Sequence, residues 1–130
     1  WPLRIQLQVG TRVPFYCTAS GKMYLSSLVP SHLKRYLAAT DLVARTPNTI
    51  TDIDRLLDEV ETIREQGYSL DREEFLTDMI ALAVPLWDTN NRLMATLSFH
   101  APTQRFDIVR ALEYREAMHA AGKELSALIA

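Results

Sequence analysis

Apolar and polar residues along this chain alternate between two periods, which predicts a mixed sequence of strands and helices. Leu3, Ile5, Leu7 and Val9 alternate with Arg4, Gln6 and Gln8, the period of a half-buried strand, and Gly10-Thr11 ends the run. Pro14 is incompatible with a regular central strand. Thr18 is a natural N-cap for a short helix over 20–29 that Pro30 ends, and Ser31 caps a second helix reaching about Ala39. Thr46-Pro47-Asn48-Thr49 is a turn. Thr51 then caps a helix in which Ile53, Leu56, Leu57, Val60 and Ile63 recur at helical spacing and Gly67 supplies the stop. Asp52, Asp54 and Asp58 at its start suit the helix dipole and read as a solvated face. From Phe106 to Ala130 the positions Ala111, Tyr114, Met118, Ala121, Leu125 and Leu128 predict one long helix with a stripe that covers the sheet or a neighbouring subunit.

Between those helices, 79–102 reads as a hairpin. With Asp88-Thr89-Asn90-Asn91 as a four-residue loop, Trp87 faces Arg92, and the remaining pairs follow from antiparallel register. Ile80, Leu82, Val84 and Leu86 then share an apolar face with Leu93, Ala95, Leu97 and Phe99. The other face sets Met79, Ala81, Ala83 and Pro85 against His100, Ser98, Thr96 and Met94. Small and polar side chains on that face allow either close backbone packing or a cavity with a few hydrogen-bonding groups.

The chemistry-bearing candidates are few. After Thr18, Ala19-Ser20-Gly21 carry almost no side chain, so a small anion can approach the free N–H groups of the first helical turn; an ordinary helix start is the competing reading. Asp71 is either a ligand contact or the cap of a short turn over 71–75. His100 can exchange hydrogen bonds with a ligand oxygen when neutral, or pair with a carboxylate when protonated; a structural histidine is the alternative. Ser98 has the alternative of bonding backbone alone. Cys17, Asp71 and His100 together are possible zinc ligands, although they lack the short spacings of a metal motif. Cys17 as a nucleophile with His100 as base would need the same convergence.

Composition narrows the class. The 130 residues suit one domain, and 48% hydrophobic with 23% charged residues is an ordinary globular balance. Fourteen basic against sixteen acidic residues leave a net charge of −2 without a basic stripe for nucleic acid. The single cysteine excludes an intramolecular disulfide, and no apolar run nears the roughly 20 residues that span a bilayer. A cytoplasmic location and no membrane partner are expected.

Three groups of residues, in order, carry a family resemblance: VGTRVPFYCTASGK at 9–22; TPNTIT at 46–51; and Gly67, Asp71 and Glu74 with Ala81-Leu82-Ala83 and Asp88 after them. Together with the hairpin and the final helix, they resemble the effector-binding domain of the IclR-type transcriptional regulators over essentially all 130 residues. Trp87, Cys17 and His100 depart from the family's usual Phe, Tyr or His, its Ala and its small residue such as Ser. The resemblance implies an α/β (α+β) fold: a GAF- or profilin-like antiparallel sheet flanked by helices on its faces. It implies a single effector-binding domain over 1–130 that lacks its first helix and strands and the winged helix-turn-helix domain, so that an uncovered sheet edge needs a partner or weakens the domain. It implies a non-enzymatic sensor of a small organic acid, possibly aromatic, with no cofactor. The full-length protein would be a dimer or tetramer that touches DNA only through the absent N-terminal domain. Carried over residue by residue, the effector site comprises backbone N–H groups of Ala19 and Ser20, an apolar wall of Ile5 and Val13, Asp71, a floor of Met79, Ala81, Ser98 and His100, and Tyr16 and Cys17 at the mouth. A zinc-binding domain or a purely oligomerising one is the alternative.

Overall fold

In a computed structural model that describes residues 13–129, the chain runs α1 (Ala19–Ser27), α2 (Pro30–Ala39), α3 (Ile53–Gln66), β1 (Ser69–Arg72), β2 (Met79–Trp87), β3 (Leu93–Pro102), α4 (Ile108–Leu112) and α5 (Arg115–Ile129). The strand expected through Leu3–Val9, with Ile5 and the Gly10-Thr11 break, lies outside the described residues. The three strands form one antiparallel sheet in the order β1-β2-β3. This is the expected mixed fold, an antiparallel sheet with helices on both faces.

Strand alternation sets the layers. Leu70, Leu82 and Val84 point to one face and pack with Leu97, Phe99, Ile108 and Met118, so α4 and α5 cover that side. α5 sets Gly122 against β2, where an added Cβ would stand 3.6 Å from the Pro85 carbonyl oxygen. On the opposite face Ala81 and Ala83 meet Ala19 of α1, three methyl groups that let a helix lie close on the strands. Behind α1, the residues Leu56 and Val60 of α3 and Leu33 and Leu37 of α2 join Cys17, Leu25 and Ile50 in a second core.

Several boundaries differ from the sequence reading for local reasons. Helix α1 stops at Ser27, and Pro30 opens α2, with Val29 rather than Ser31 at the cap; proline suits that position because its missing N–H is not needed there. Asp52, not Thr51, precedes α3, while Gly67 ends it as expected in the left-handed conformation with φ 81°. Asp52, Asp54 and Asp58 are exposed as expected. β1 escaped notice because Ser-Leu-Asp-Arg shows one apolar residue in four.

The expected single final helix is broken at Glu113-Tyr114. Asp107 caps α4 by accepting from the Arg110 N–H at 2.8 Å, and the turn brings the Tyr114 ring to 5.8 Å from Phe106 and 6.1 Å from Phe99. Ala111 is buried and Met118 and Ala121 are half-buried, but Tyr114, Leu125 and Leu128 are exposed. The stripe therefore only partly covers the sheet.

The hairpin register is two residues from the expected one. Trp87 pairs with Leu93, a bulge follows, and from Leu86↔Ala95 the ladder runs to Ala81↔His100 and Met79↔Pro102. One residue of the shift lies in the loop, which spans 88–92, where the Asp88 carboxylate accepts from the Asn90 and Arg92 N–H groups and Asn91 takes φ 60°, and the bulge that skips Met94 supplies the other. A slip of two preserves the faces from Ala95 to Phe99, whereas a slip of one inverts them, so Leu93, expected on the apolar face, pairs with Trp87 instead and lines the cavity on the α1 side. His100 accordingly stays on the α1 face but lies opposite Ala81, not Met79.

Candidate functional site

The segment before α1 is fastened to it by one hydroxyl. Thr18, in extended conformation at the N-cap, accepts from the Gly21 N–H at 3.1 Å and donates to the Pro14 carbonyl at 2.9 Å. The segment crosses Gly21 so closely that an added Cβ there would stand 2.4 Å from the Phe15 Cα and carbonyl oxygen. Only glycine fits. The Phe15 ring then rests 4.8 Å from Tyr24 and 5.9 Å from Tyr36.

Between this segment, the start of α1, and the α1-facing sides of β1 and β3 lies a cavity of about 650 Å³. Its walls are mostly apolar: Val13, Phe15, Tyr24, Phe75, Leu76 and Met79 among others. Thr18, Ser20, Asp71, Thr96 and His100 supply the polar side chains. The N–H groups of Ala19 and Ser20, at the open end of α1, have no acceptor among the described residues.

Asp71 is buried and accepts from the Glu74 N–H at 2.7 Å, so it does cap the turn after β1. Burial, with the Glu74 charge adding to it, pushes its pKa up to about 6 against the opposing effect of the hydrogen bond. His100 has much of its surface open, yet desolvation of its imidazole lowers its pKa.

Between α1 and the turn after β1 lies a group that sequence reasoning missed. Lys22 is fully buried on α1, its ammonium 2.7 Å from a Glu59 oxygen and 2.8 and 2.9 Å from the two Glu74 oxygens. Glu74 also accepts from the Arg72 N–H at 3.0 Å, and its carbonyl accepts from the Thr49 hydroxyl at 2.6 Å. The ion pair thus ties α1 to the turn that Asp71 caps.

Of the expected site residues, Val13, Ser20, Asp71, Met79 and His100 come together around the cavity. Ala19 and Ala81 lie under it as packed methyl groups. Ser98, opposite Ala83, does not reach it. Tyr16 and Cys17 are not at the mouth: Tyr16 is buried and donates to the Val43 carbonyl at 2.7 Å, and Cys17 is sunk in the core behind α1. Burial pushes the Cys17 thiol up to about 12, the reverse of an activated nucleophile. Among the described residues no three His, Cys, Asp or Glu side chains gather as a metal ion requires, so Cys17, Asp71 and His100 do not form that set. Thr96 was legible, two residues before Ser98 on the same face. Phe75 and Leu76, in an irregular turn, left no periodic signal. Among the described residues no helix is long and apolar enough to cross a membrane.

Comparison with known proteins agrees with this architecture. The family model described as bacterial transcriptional regulator IclR C-terminal matches residues 2–127. The transcriptional regulator KdgR of Escherichia coli is 36% identical over 125 residues, 96% of this chain and 48% of that protein. A probable transcriptional regulator, SauR of Cupriavidus necator, is 34% identical over 96% of this chain and 50% of its own length. The chain thus spans about half the length of these relatives. A double mutant of the inducer-binding domain of the transcription factor PobR from Acinetobacter, solved in complex with 3-hydroxybenzoic acid, superposes with TM-score 0.89 at 27% identity, covering 98% of this chain and 75% of that one.

Proposed function

This chain belongs to the IclR family of bacterial transcriptional regulators, as a C-terminal domain and not an enzyme, and from that premise we propose that it senses a small organic acid bound in the cavity between α1 and β3. The observation that carries the reading is the cavity itself: a largely apolar space with polar groups concentrated at the α1 terminus and on the β1–β3 floor. An acid's carboxylate suits the Ala19 and Ser20 N–H groups, where the helix dipole favours negative charge. The Phe15 and Tyr24 rings suit an aromatic or other apolar body. The inducer-binding domain that holds 3-hydroxybenzoic acid supports an acid of that size.

A ligand of this kind touches α1 and β3 at once, and acts only by binding one arrangement of the two more tightly than another. In the full-length protein we propose that this difference passes to an N-terminal DNA-binding domain, that the regulator works as a dimer or tetramer, and that it acts in the cytoplasm.

The test is a thermal melt of the domain against benzoates and small 2-oxo acids, with His100→Ala and Thr96→Val alongside. At about 100 times its dissociation constant a specific acid adds roughly 2.7 kcal/mol, which raises the midpoint by several degrees. The expected result is a shift with particular acids that both variants weaken. No shift with any acid, or shifts indifferent to both substitutions, contradicts the reading.

A further inference from the structure

We propose that a crevice between the end of α3 and the side of α5 is a second ligand site, for an aromatic phosphate monoester, the chemistry of a mononucleotide. Unequal strand lengths create the crevice. β1 begins only at Ser69, opposite Ala83, so among the described residues β2 runs on to Trp87 with no strand on that side. Gly67, at the end of α3, lies there beside α5: an added Cβ would stand 3.9 Å from the His119 ring. The space left among α1, α3, β2 and α5 is about 470 Å³, a volume suited to a small molecule. α1 contributes Met23 and Ser26, away from the Ala19 and Ser20 N–H groups of the acid cavity.

Two kinds of wall define the ligand. Met23, Ile63, Pro85 and Trp87 form an apolar side, and the Trp87 side chain, 41% exposed, offers a surface that a flat ring can cover. Arg64, His119, Lys123 and Ser126 form the polar side, with no carboxylate among the lining residues. Arg64 is held in place, its Nε donating to the Ser26 carbonyl at 3.1 Å and its Nη1 to Glu61, which leaves Nη2 for a ligand. His119, Lys123 and Ser126 stand at i, i+4 and i+7 on one face of α5, and none of their side chains has a hydrogen bond or ion pair among the described residues. Glu61 balances Arg64, so Lys123 supplies the uncompensated positive charge. Donors spread over two helices match the three acceptor oxygens of an ester phosphate better than the two of a carboxylate. Cations beside the last turn of α3 also suit its dipole, and the two roles differ in what a lysine substitution does.

The test is a fluorescence titration. The chain has two tryptophans, so Trp1→Phe leaves Trp87 as the reporter. At least one of adenosine monophosphate and phenyl phosphate is expected to quench its emission saturably, whereas adenosine and phenol are not. Lys123→Met, at an exposed position, is expected to weaken that binding by about 10-fold or more, the worth of a charge-assisted hydrogen bond, while the melting midpoint stays where it was. Saturation with neither phosphate, equal binding of the phosphate-free partners, or an affinity indifferent to Lys123→Met overturns the site. A midpoint lowered by Lys123→Met with the affinity unchanged also overturns it, and assigns the cations to the end of α3.

Discussion

Replacing Lys22 with methionine tests the ion pair between α1 and the turn after β1. The substitution keeps the length of the apolar stem and removes an ammonium that is fully buried between Glu59 and Glu74. The Glu59 side chain is 18% exposed and can turn to water; Glu74, at 4%, cannot. Its carboxylate keeps the Arg72 N–H but loses its counter-charge. Leaving one member of a buried pair uncompensated costs about 3–5 kcal/mol. For a domain of this size each kcal/mol is worth roughly 3–5 °C, so Lys22→Met is expected to lower the melting midpoint by about 10–25 °C. Adding Glu74→Gln removes the stranded charge while its amide oxygen still accepts from Arg72, and should recover at least half of the loss. Thermal melts of the single and double variants, checked by urea unfolding, decide the matter. A Lys22→Met protein melting within about 3 °C of the parent, or a double variant no better than the single, refutes the reasoning.

Three further outcomes follow from the same geometry. Gly21→Ala forces the Phe15 backbone, 2.4 Å from the new Cβ, to move; a stability loss of about 1–3 kcal/mol by urea unfolding is expected, together with weakened acid binding. Asp71, raised to about 6 in the folded chain from 3.8, favours folding in its protonated form, so its contribution is full below about pH 4 and is lost as pH rises through 6. Melting midpoints of the native domain measured from pH 4 to 6.5 should therefore fall relative to those of Asp71→Asn, and parallel curves would contradict this. Cys17, buried and raised to about 12, should react with a thiol reagent at mildly alkaline pH only as fast as the domain unfolds, with prompt labelling of the folded protein as the contrary result.

The readable parts of the chain were those governed by a single local rule. Thr18 as a cap, Gly67 as a helix stop, and the two faces of the hairpin each follow from a side chain's immediate chemistry or from strand alternation. From Ala95 onward the faces hold although the register shifts, because the longer loop and the bulge at Met94 add one residue each, an even total, whereas Leu93, before the bulge, pairs with Trp87 and changes face. Other features depended on contacts across the chain. The Lys22–Glu74 pair joins residues 52 positions apart, and lysine one turn into a helix looks like any solvated residue. The break at Glu113-Tyr114 accompanies aromatic packing against Phe99 on β3, invisible to a 3,4 pattern. In the site, alternation along β3 put His100 on the right face, but nothing local said that Tyr16 and Cys17 turn into the core and not toward the mouth.

The most direct test of the central claim is an amide NMR titration of the ¹⁵N-labelled domain with an acid that raises its melting point. The account predicts saturable shifts led by the Ala19 and Ser20 N–H signals, with Asp71, Thr96 and His100 responding at the same midpoint. Saturation with those amides unmoved, and shifts confined to the α5 side of the sheet, would contradict it.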